Sequence, residues 1–75
     1  MELEKIREIV AELMSRDVSE INEHTRFLRD LGMDSLDVFQ LMVEVEAYFG
    51  IDIRVEAISG IKTVGEAAEL ISTLA

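Results

Sequence analysis

The sequence predicts an all-α fold, three main helices and one short one joined up and down as a small bundle. Three observations predict it. Apolar residues recur at helical spacing in separate stretches. Helix start and stop signals lie at the edges of those stretches. The chain has no proline, so a common helix breaker is missing throughout. Its 75 residues allow one domain, residues 1–75. Hydrophobic residues make up 49%, too many for a disordered tail, so a packed core is expected. Phe27, Phe39, Tyr48 and Phe49 are the only aromatics, which makes that core mostly aliphatic.

Leu3, Ile6, Val10, Leu13 and Met14, with Glu and Lys between them, mark a first amphipathic helix. From Ser15 to Met33 the periodicity fails and polar residues cluster, leaving Val18, Ile21, Phe27, Leu28 and Leu31 as candidate anchors. A connection that long is usually functional or pinned by its own apolar contacts. A second helix is predicted from Asp34 or Ser35 to Phe49. Asp34 suits its N-cap, because a carboxylate there accepts from free first-turn amides. Asp37 adds negative charge near the positive end of the helix dipole, and Gly50 is a natural stop. A short helical segment is expected around Val55 to Ser59. Thr63 and Glu66 then form the capping box that opens the last helix, with Val64, Ala67, Ala68, Ile71 and Leu74 on its apolar face.

The second helix has two apolar faces. At about 100° per residue, Val38, Leu41, Met42, Val45 and Phe49 share one side, while Leu36, Phe39 and Val43 gather nearly opposite. Either this helix is buried on two sides, or the smaller stripe is exposed for a partner.

Sixteen acidic residues against seven basic ones give a formal net charge of −9. Such a surface repels nucleic acid phosphates and anionic lipids and steers the chain toward basic partners. It also keeps a small domain soluble and monomeric. No apolar run approaches the roughly 18 residues that span a bilayer. The first residues, Met1-Glu2-Leu3-Glu4, lack the basic and apolar pattern of a signal peptide, so a cytoplasmic protein with no membrane insertion is expected. There is no cysteine, so any thiol chemistry needs a sulfur from outside the polypeptide.

Ser35 stands where the irregular connection meets the second helix. Serine is ordinary at a helix start. The missing Gly-x-Ser-x-Gly turn, and a sole histidine in a different part of the connection, argue against a serine nucleophile of the hydrolase kind. The sole histidine, His24, reads as a solvated loop residue. Asp30, Asp34 and Asp37 do not follow calcium-loop spacing, so no metal site is expected.

The stretch Asp30-Leu31-Gly32-Met33-Asp34-Ser35-Leu36-Asp37 closely resembles the phosphopantetheine attachment motif of acyl carrier proteins. The resemblance covers the whole chain, including Phe49-Gly50-Ile51-Asp52-Ile53 and Ile61-Lys62-Thr63-Val64-Gly65. It implies the small four-helix carrier bundle with a short third helix. It also implies a 4′-phosphopantetheine arm, taken from coenzyme A and placed on Ser35 by a magnesium-dependent phosphopantetheinyl transferase that recognises Asp34 and Leu36. Acyl groups would ride on the arm's thiol as thioesters for fatty-acid, polyketide or related synthesis, and the chain itself would not be an enzyme. Leu36, Phe39 and Val43, with the acids Asp37 and Glu46, would dock synthases and acyltransferases through their basic patches.

Departures point to a specialised carrier over a housekeeping fatty-acid one. Gln40 replaces a usual Glu, Ala47 and Tyr48 lie where further acids are common, Ile53-Arg54-Val55 replaces Ile-Pro-Asp, and Phe39 is bulkier than the usual aliphatic. Val55 and Ile58 are left without an assigned role. The alternatives are a peptidyl or aminoacyl carrier, from which Gly32-Met33-Asp34-Ser35 points away, and a helical interaction module that carries nothing.

Overall fold

A 13-residue amphipathic segment begins the chain, and its apolar stripe decides the architecture. In the computed structural model, which describes residues 2–74, it forms α1 (Glu2–Met14), with Ile6 and Val10 fully buried and Ala11 nearly so. Ser15 ends it in the left-handed conformation at φ 55°, with the Arg16 amide donating back to the Ala11 carbonyl at 2.8 Å. α2 (Ser35–Phe49), α3 (Val55–Ser59) and α4 (Val64–Leu74) follow, and a single 3-10 turn, Val18–Glu20, sits in the first connection. α1 packs against α4 and α2, and α3 rests on α2. No strand occurs among the described residues; Arg26 and Thr63 form one isolated antiparallel bridge. No helix is long and apolar enough to cross a membrane.

Each start and stop signal has its expected partner. Gly50 adopts φ 67°, ψ 40° and closes α2 by donating to the Glu46 carbonyl at 2.8 Å. Thr63 Oγ1 accepts from the Glu66 amide at 3.1 Å, while Glu66 Oε1 accepts from the Lys62 and Thr63 amides at 2.7 and 3.2 Å. Val64, Ala67 and Ile71 of α4 are buried; Leu74, expected on the same face, is exposed at the helix end.

The long connection is pinned, though not by all of its predicted anchors. Ile21, Phe27 and Leu31 are buried, whereas Val18 and Leu28 are 40% and 62% exposed. Their places are taken by Met33 and by Thr25, whose hydroxyl accepts from the Asn22 amide at 2.9 Å. Arg7 of α1 provides the polar tie, its guanidinium donating to the carbonyls of Ile21 at 2.6 Å and Val18 at 2.9 Å. The connection is also joined to the last helix. Phe27 and Val64 amides donate to the Lys62 and Thr25 carbonyls, each at 3.0 Å, and the Gly65 amide donates to the Glu23 carbonyl at 2.8 Å.

Candidate functional site

The segment before α2 is a wound turn that fixes where the helix begins. Asp30 and Leu31 amides donate to the Arg26 carbonyl, Gly32 to Leu28, and Met33 to Phe27, at 3.0 to 3.2 Å. Gly32 supplies the left-handed residue, at φ 67°, that the turn requires. Asp30 Oδ2 accepts from the Arg26 amide at 2.8 Å, and its carboxylate also meets the Arg26 guanidinium at 3.5 Å. The backbone N–H first, and then the side-chain contact, hold the Asp30 carboxyl below its ordinary range.

Asp34 is extended (φ −97°, ψ −179°), and its Oδ1 accepts from the Asp37 amide at 2.9 Å. Asp37 Oδ2 accepts from the Asp34 amide at 3.1 Å, closing a reciprocal cap. The two aspartates satisfy each other, so Ser35, the first residue of α2, is exposed with its hydroxyl outside the cap. His24 is 88% exposed beside Glu23 and belongs to a separate depression with Thr63, Glu66 and Glu69. It offers Ser35 no base. No cluster of metal-ligating side chains occurs among the described residues.

Beside Ser35 opens a cavity of about 580 Å³ between the turn, α2 and α3. Its walls are Phe27, Val38, Phe39, Val55, Ile58 and Ile61. Val55 and Ile58, left without a role by the sequence, thus form the α3 wall of this space. The N-cap of α3 is Arg54, whose side chain has no acceptor and makes no cap hydrogen bond.

The stripe of Leu36, Phe39 and Val43 is exposed, by 71%, 45% and 46%, while Val38, Leu41, Met42 and Val45 are buried. The helix is therefore not buried on two sides. Phe39 serves twice, lining the cavity with part of its ring and presenting the rest outward. The two acids grouped with this stripe have other engagements. Asp37 completes the cap, and Glu46, half-buried, accepts from the Ile53 amide at 2.6 Å and so ties α2 to the segment leading into α3.

Two comparisons bear on this arrangement. The sequence pattern of the phosphopantetheine attachment site family matches residues 4–71. A solved structure from Mycobacterium tuberculosis, provisionally described as an acyl carrier protein, superimposes with a TM-score of 0.90 at 32% identity, covering 97% of each chain. An exposed serine capped into the start of α2, an apolar cavity beside it, and a family match across nearly the whole chain agree, and the chain belongs to the phosphopantetheine-bearing acyl carrier proteins.

Proposed function

We propose that Ser35 is the residue that takes the arm, that acyl cargo rides on it as a thioester, and that Leu36, Phe39 and Val43 form the apolar part of the docking face. The observation that carries this reading is the position of Ser35, exposed at the first turn of α2, outside the Asp34–Asp37 cap and beside the apolar cavity. In the transfer, Ser35 Oγ attacks the phosphorus that bears the pantetheine half of coenzyme A. A new P–O bond forms, the P–O bond to the nucleotide half breaks, adenosine bisphosphate leaves, and the Oγ proton passes to a base on the transferase. The transferase also supplies the magnesium that phosphoryl transfer requires. The helix start favours the product, because a phosphodiester there meets the positive end of the α2 dipole.

The arm supplies the thiol that this cysteine-free chain lacks. The protein's own part is to present and to shelter. Each cargo methylene that leaves water for the apolar cavity contributes about 0.8 kcal/mol. Partner enzymes are met through the exposed stripe and a net charge of −9, which favours fast, salt-sensitive encounters with basic surfaces. Incubation with coenzyme A, magnesium and a broad-specificity transferase, followed by peptide mapping, tests the assignment. The modification is expected on the peptide containing Ser35; its appearance on Ser15, Ser19, Ser59 or Ser72 contradicts it.

A further inference from the structure

The cavity beside Ser35 carries a charge pattern opposite to that of the chain as a whole. Three of the seven basic residues, Arg26, Arg29 and Lys62, line it, and no Asp or Glu does. Arg26 is paired with Asp30 at 3.5 Å. The Arg29 guanidinium and the Lys62 ammonium have no carboxylate oxygen within 4.0 Å among the described residues; the Glu66 carboxylate meets Lys62 only at its backbone amide. All three cations are exposed, so their charged heads lie at the rim while the walls are apolar.

We propose that Arg29 and Lys62 form a cationic clasp for the phosphodiester that joins the arm to Ser35, holding the root of the arm against the cavity rim. The proposal rests on the Ser35 assignment and adds two residues to it. The backbone places both cations around the turn that delivers Ser35. Arg29 lies within that turn, and Lys62 is joined to it through its carbonyl, which accepts from the Phe27 amide at 3.0 Å. Phe27 in turn accepts from the Met33 amide at 3.0 Å, two residues before Ser35. Loading adds a negative charge next to Asp34 and Asp37, and two unpaired cations offset the resulting repulsion. An anionic group on the cargo is not the target, because cargo passing the rim meets Val38, Val55 and Ile58. The clasp biases the arm toward lying over the cavity, and salt loosens it.

The test uses apo and holo forms of the wild type and of R29Q/K62Q, with the arm first located by peptide mapping. Both side chains are exposed, so the variant keeps the fold, which its amide spectrum checks. In low salt, loading is expected to shift the Arg29 Nε–H and the Lys62 amide in the wild type. The wild-type phosphorus-31 line is expected to be broader than that of holo R29Q/K62Q. At 1 M salt, where the Debye length is about 3 Å, the difference in linewidth disappears. An arm on Ser35 with equal linewidths in wild type and variant at low salt overturns the clasp alone. An arm found elsewhere overturns the Ser35 assignment and the clasp with it.

Discussion

Val43 and Val45 are two residues apart on α2 and face opposite ways, so the same substitution at each separates docking from folding. Val45 is fully buried and Val43 is 46% exposed. V45E gives up the burial of a valine, about 1.5–3 kcal/mol, and places a carboxylate without a partner in the core, several kcal/mol more. A domain of this size has roughly 4–11 kcal/mol of stability in all, so the loss is comparable to the whole. V43E, at an exposed site, should change stability by no more than about 0.5 kcal/mol. The assay is paired: thermal melts followed by helical circular dichroism, and steady-state kinetics of an enzyme that works on the loaded carrier. V45E should be largely unfolded at temperatures where V43E is native, and the proposed docking face predicts that V43E is a poorer substrate, since it sets a charge where an apolar contact is expected. Equal destabilisation by the two changes, or unaltered kinetics for V43E, would refute the two-sided account of α2.

Three further outcomes follow from the contacts that frame the site. At Gly65 an added Cβ would lie 2.8 Å from the Glu23 carbonyl oxygen, so G65A should lower stability by about 1–3 kcal/mol, read from chemical denaturation. Removing the Glu46 acceptor in E46A should cost on the order of 1 kcal/mol and raise hydrogen exchange at Ile53, while E46Q, which keeps an acceptor, should cost less. The Asp30 carboxyl lies below its ordinary 3.8, so its support of the turn is complete above that value and is lost as pH falls through the lowered one. Protection of the Asp30 to Met33 amides, as exchange normalised to the intrinsic rate at each pH and followed from about pH 5 to about pH 2, should fall in that window in the wild type and show no such step in D30N.

What could be read in the sequence was what local chemistry decides. Asp34 before Ser35, Gly50 after Phe49, and Thr63 with Glu66 each satisfy backbone groups within a few residues, so type and spacing suffice. The two-faced pattern of α2 was legible for the same reason, since helical geometry assigns faces. Outside helices that rule gives no face, and there the reading failed: Val18 and Leu28 point outward while Thr25 and Met33 point in. Reciprocal capping by Asp37 lay within reach, because an acid three residues after an N-cap is its signature, yet Asp37 read as a favourable helix-dipole charge and a docking acid and not as a cap. Arg7 reaching Ile21, and Glu46 reaching Ile53, join residues whose meeting depends on packing that no periodicity encodes. The cavity belongs with these, since it exists only once α3 is laid on α2.

Whether Ser35 bears an acylated arm is tested most directly on the chain isolated from its source in native form. Intact-protein mass is measured before and after neutral hydroxylamine, which cleaves thioesters and leaves phosphodiesters in place, for the wild type and for S35A. The wild type should carry the mass of an acylated phosphopantetheine, lose the acyl part with hydroxylamine and keep the arm. S35A should stay at its polypeptide mass while retaining its helical circular dichroism, since the cap is made by Asp34 and Asp37. An arm on S35A, or an acyl group that resists hydroxylamine on the wild type, would contradict the account.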